Sequence, residues 1–72
     1  MQVVIDGRIT DKELPDIGSF WRHHNGIPYE VIHIANVAHL NVKHNTYIVY
    51  IGQNGNVWVK TIPDFFDTMT EF

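Results

Sequence analysis

The chain has 72 residues, 44% of them hydrophobic and 18% charged, with a net charge of −3 and no cysteine. That suits one small globular domain whose core supplies only about 3–5 kcal/mol of net stability, and it excludes disulfides, thiolate nucleophiles and cysteine-held zinc. Five Lys and Arg residues are too few to grip duplex nucleic acid through its phosphates, which takes about 6–10 contacts.

Residues 2–5 are mostly β-branched and predict a short strand, with Asp6-Gly7 as its turn. Residues 8–17 carry Asp11, Lys12, Glu13, Pro15 and Asp16 and read as a turn-like segment or a single helical turn. Ser19 to His24 predicts a strand, and Asn25-Gly26 is a strong hairpin signal because both positions tolerate positive φ. The next strand is expected from Pro28 to about Ala35, followed by a polar connection over residues 36–45. Tyr47 to Ile51 and Val57 to Ile62 predict two further strands, joined by a turn at Gln53-Asn54-Gly55-Asn56. Thr61 followed by Asp64 resembles a capping box, and Phe65, Phe66, Met69 and Phe72 suit one face of a short helix.

These elements predict an all-β fold, a small SH3-like barrel of four to five antiparallel strands with a short C-terminal helical turn. Residues 1–72 form a single domain in this reading. Thr46, Ile48 and Tyr50 fall on one face of their strand; Tyr47, Val49 and Ile51 fall on the other. Both faces are largely apolar, so the second requires a cover: the N-terminal segment, the C-terminal turn or a second copy of the chain. Asp6 interrupts the first apolar run too early for a signal peptide, and the Tyr47–Ile51 stretch is far short of the ~20 residues of a membrane helix. The expectation is a soluble cytoplasmic protein.

Phe20-Trp21-Arg22-His23, Gly26, Tyr29-Glu30-Val31, Val49-Tyr50, Gly55, Val57-Trp58-Val59-Lys60, Pro63 and Phe65 together form a pattern. Over residues 18–69 it resembles a small bacterial and phage domain family of unknown function. The signature of that family is aromatic-Arg-His-x-x-Gly-x-x-Tyr-x-Val, followed by a Trp-x-Arg block. Here Trp21 stands where the family usually has Tyr, Lys60 where it usually has Arg, and Pro63 is displaced from the position after the basic residue. The resemblance implies the SH3-like barrel and implies no activity; residues 1–17 lie outside it.

Five histidines, at 23, 24, 33, 39 and 44, are many for this length, but they lack helical ligand spacing and interleaved carboxylates. They read as scattered polar residues rather than as a metal site. Ser19 is the lone serine, no carboxylates pair on a common strand, and Gly52 and Gly55 are turn glycines rather than a phosphate loop. The reading is therefore a non-enzymatic binding module with no cofactor. One version binds or inhibits a partner protein through an acidic and aromatic surface, with carboxylates at 11, 13, 16, 64, 67 and 71. The other captures a small anionic or nucleotide-like ligand, such as a host immune signal, and requires a homo-oligomer to enclose it. The candidate ligand-binding residues are Arg22, His23, Tyr29, Trp58 and Lys60, with pairing of Arg22 to Glu30 across the hairpin as the structural alternative for that arginine.

Overall fold

The computed structural model describes all residues 1–72. Strands β1 (Gln2–Ile5) and β2 (Arg8–Asp11) form a separate two-stranded hairpin. Its loop, Asp6-Gly7, has positive φ at both residues, 52° and 76°, the geometry that matches the right-handed twist of the flanking strands. The expected turn-like stretch after Gly7 is thus corrected. Residues 8–11 are a strand, held by backbone pairing to β1 although all four are exposed.

The main sheet contains β3 (Phe20–His23), β4 (Pro28–Ala35), β5 (Tyr47–Gly52), β6 (Val57–Thr61) and β7 (Met69–Glu71), in the order β6-β5-β4-β3-β7. Every neighbouring pair is antiparallel. Four strands, β3 to β6, meander, a helix follows, and the last strand returns to pair with β3. This is the connectivity of the expected small SH3-like barrel. In the two Asn-Gly turns only the glycine takes positive φ. Each asparagine instead accepts a hydrogen bond through its side chain: Asn25 Oδ1 from the Ile27 N–H at 3.0 Å, and Asn54 Oδ1 from the Asn56 N–H at 3.1 Å.

Helix α1 (Ile62–Thr68) begins as its sequence indicates. Thr61 Oγ1 accepts from the Asp64 N–H at 3.3 Å, and Pro63 occupies the first turn, where a missing N–H costs little. The helix ends one residue before Met69, which opens β7. Phe72 therefore lies beyond β7 and not on the helix, and its N–H donates to the Phe20 carbonyl at 3.2 Å.

Val3, Trp21, Val31, Ile48, Tyr50, Ile62, Phe65 and Met69 form the core cluster. Ile48 and Tyr50 are buried while Tyr47, Val49 and Ile51 remain half-buried, so the two faces of β5 divide as their alternation predicts. The cover goes to the inner face. Val3 and Val4 of the hairpin are fully buried, as are Ile62 and Phe65 of α1. The linker contributes buried Pro15 and Leu14 packed on the core, and Lys12 Nζ lies 5.2 Å from the Phe66 ring centroid. The other face of the sheet receives no such layer.

Thr46 ties the hairpin to the sheet. Its buried Oγ1 accepts from the Val4 N–H at 3.0 Å, and its own N–H donates to the Val4 carbonyl at 2.9 Å. Thr46→Val keeps the shape and strands the Val4 N–H, so urea unfolding should show a loss of about 1–3 kcal/mol. Thr46→Ser retains the acceptor and should recover most of that loss. Equal destabilisation by both variants would assign the effect to the methyl group instead.

Candidate functional site

The pairing registers decide which candidate residues meet. Arg22 lies opposite Pro28 on one side and Thr70 on the other, whereas Glu30 lies opposite Phe20. The expected Arg22–Glu30 pair is therefore absent, and the one ion pair of the chain joins the N-terminal ammonium to Asp11 at 3.0 Å. The Arg22 guanidinium rests instead over the Phe72 ring, 4.4 Å from its centroid.

Lys60 does not join Arg22. Lys60 is opposite Ile48 of the inner face, while Arg22 shares the outer face with Phe20, and β4 and β5 separate their strands. His23 faces the side opposite to Arg22, at the register of Met69. Its Nδ1 accepts from the Asn25 N–H at 3.2 Å and its ring lies 4.0 Å from that of His24, so it belongs to the turn. The strand alternation assumed through His24 stops at His23, where β3 ends. No group of three His, Asp or Glu side chains is arranged to hold a metal ion.

What the fold does assemble is apolar. A groove of about 460 Å³ opens at the end of the sheet, walled by Phe20, Tyr29, Ile51 and Phe72, with Glu30 as its charged residue. Phe20 is 55% and Phe72 62% exposed. Tyr29 reaches over Gly52, the residue opposite it on β5. A Cβ at position 52 would stand 3.0 Å from Tyr29 Cε1 and 3.3 Å from Asn54 Oδ1, so the bare backbone there lets the ring lie down. Tyr29 is also a wall of an adjoining depression that contains Ile27 and Trp58. Two of the five candidates, Tyr29 and Trp58, are thus brought together, and Arg22 stands next to the groove through Phe72.

Carboxylates of Asp11, Glu13 and Asp16 line a separate depression with Leu14 and Ile17. Asp64 and Asp67 ride on α1 and Glu71 on β7. No helix is long and apolar enough to cross a membrane.

Sequence reasoning missed Phe20, Ile51 and Phe72 as site residues. Phe20 carried a usable signal, since it sits two residues before Arg22 on a strand and so shares its face. Phe72 carried none, because its spacing from Phe65 and Met69 fits a helix equally well. In comparisons with family models, curated proteins and solved structures, the chain matches none.

The acidity of Tyr50 departs from its ordinary value. Burial pushes its hydroxyl up from 10.0, and the nearby Tyr29 and Asp64 push in the same direction. The unfolded chain therefore releases this proton at lower pH than the folded one. The stabilisation is complete below pH 10 and declines as pH rises through and above that value. Tyr50→Phe should flatten the alkaline limb of a stability-against-pH curve measured by urea unfolding. An unchanged limb would assign the loss to other groups.

Arg22 should behave as an exposed cation over a ring. A double-mutant cycle between Arg22 and Phe72 should give a coupling of about 0.5–1 kcal/mol. The Arg22–Glu30 cycle should give roughly zero, within about 0.3–0.5 kcal/mol. A larger coupling to Glu30 would show that the two side chains pair in solution.

Proposed function

We propose that the chain is a non-enzymatic binding module that engages a partner protein, taking an extended apolar segment with a neighbouring basic residue into the Phe20–Tyr29–Phe72 groove. The supporting observation is the groove itself: the Phe20 and Phe72 rings and Ile51 line it around a single carboxylate, Glu30, with Tyr29 at its margin, on a chain of net charge −3. Covering the exposed half of two phenylalanine rings removes roughly 200 Å² from water, worth about 5 kcal/mol. That only meets the low end of the cost of association, about 4–15 kcal/mol. A partner must therefore also use Tyr29 and Glu30, which makes the segment amphipathic rather than purely apolar.

The small-anion version draws less support. Arg22 and Lys60 lie on opposite faces, so no two fixed cations converge, and Arg22 is already occupied by Phe72. Selection of a displayed peptide library on the purified protein tests the choice. Selected peptides should combine large apolar residues with Lys or Arg. Affinity should fall at least tenfold on the Phe20→Ala/Phe72→Ala variant, and Glu30→Lys should abolish the preference for basic residues. Peptides that bind the double variant as well as they bind the original chain would overturn the groove as the site. A thermal-shift response of about 2.7 kcal/mol to one nucleotide class at 100 times its dissociation constant would move the function to ligand capture.

A further inference from the structure

The two edges of the main sheet are not equivalent. β7 is three residues long and ends in exposed Thr70-Glu71, so shortness and charge blunt it. β6 is longer, contains no proline, and pairs with β5 alone. Its pairing with β5 runs without a bulge, and its first three residues, Val57, Trp58 and Val59, are 56%, 49% and 56% exposed. None of the usual protections against edge pairing is present over that stretch.

The hydrogen-bond phase of this edge follows from the hairpin. The Gly52 N–H donates to the Asn56 carbonyl at 3.0 Å, which closes the β5–β6 turn. Hydrogen-bonded and non-hydrogen-bonded pairs alternate along an antiparallel ladder. Tyr50–Trp58 and Ile48–Lys60 are therefore the bonded pairs, and the backbone groups of Trp58 and Lys60 turn toward β5. Those of Val57 and Val59 turn away, to the open edge.

We infer that β6 pairs antiparallel with β6 of a second copy of this chain, about a two-fold axis at Trp58. The phase fits this register. Val57 of one copy and Val59 of the other become a bonded pair, exchanging both N–H···O=C bonds, and the symmetry supplies the same pair again. Trp58 meets Trp58 at the non-bonded site between them, where side chains approach most closely. Lys60, the one charged residue of the strand, falls opposite Asn56 of the second copy rather than against its own like charge. The side chains agree as well: Val57 and Val59 lie opposite Ile51 and Val49 on the open face of the sheet, so pairing extends one apolar row across both copies. An unrelated strand would satisfy the edge, but only a second copy meets this self-complementary sequence in this phase.

The contact is small, below the roughly 1,200 Å² of a stable interface, so the dimer should be weak, with a dissociation constant of about 10 μM. The full chain should sediment as a dimer near ~200 μM and as a monomer near ~1 μM. Val57→Lys/Val59→Lys, with both changes at exposed side chains, should be monomeric throughout, with the circular dichroism of the original. Hydrogen exchange on the unsubstituted chain provides a readout that does not depend on how that variant folds. The Val57 and Val59 amides should be protected in the concentrated sample and released on dilution, while the Trp58 amide stays protected in both. A chain that is monomeric at both concentrations would overturn the proposal. So would a dimer that survives the double substitution, or one in which the Val57 and Val59 amides exchange freely. This inference stands apart from the groove, and the variants that test one leave the other's residues unchanged.

Discussion

Phe65 holds the two ends of the sheet in relation to each other. Its ring is fully buried and lies edge-on to Trp21 of β3 at 5.1 Å and to Tyr50 of β5 at 5.8 Å. It sits on α1, between the strand at one edge of the sheet and the strand at the other. The sheet order requires the chain to travel from β6 back past β5 and β4 before β7 can pair with β3. Seven helical residues cover that distance only because Phe65 and Ile62 dock into the inner face on the way. Edge-to-face aromatic pairs add about 0.5–1.5 kcal/mol each beyond the burial they bring, a large share of the stability available to so small a domain. β7 is three residues long and has little pairing of its own to rely on.

This docking explains where the hydrophobic surface remains. The inner face is closed by α1, by the hairpin through Val3 and Val4, and by the linker through Leu14 and Pro15. These elements all lie on the inner face, and none of them reaches the other. Val49 and Ile51 are screened only by their strand neighbours, and Phe20, Phe72, Val57 and Val59 remain more than half exposed. A domain of this length buries only about 60% of the surface its unfolded chain exposes. The position of the remainder is set by which face the covering elements reach.

Much of the architecture was legible in the chain. The alternation through 46–51 separated the two faces of β5, Asp6-Gly7 marked a turn, and Thr61 and Pro63 marked the start of α1, because each of these signals acts within a few residues. β2 was not legible, since Arg8, Ile9, Thr10 and Asp11 are all exposed and show no burial period; only pairing with β1 makes them a strand. β7 and Phe72 failed for a related reason. The spacing of 65, 69 and 72 suits a helix, and the change to strand at Met69 comes from pairing with a segment almost fifty residues earlier. The candidate site divided in the same way. Tyr29 and Trp58 lie on strands as read, with Trp58 half exposed and Tyr29 packed against the core. The grouping of Arg22 with Glu30 or Lys60 depended on register and sheet order, and the connection between β3 and β4 sets Arg22 against Pro28.

Arg22 and Phe72 illustrate how a polar residue is used on an otherwise apolar face. The guanidinium stacks on a ring that is itself 62% exposed, so both partners remain in contact with water and the pair contributes little to folding. Its effect is on orientation. It gives the Phe72 side chain a preferred position beside Phe20, whose carbonyl already holds the Phe72 N–H. Phe72 thereby becomes a wall of the groove. A hydrogen bond and a cation over a ring, each weak alone, fix that wall without drawing it into the core, where it would no longer be available to a partner.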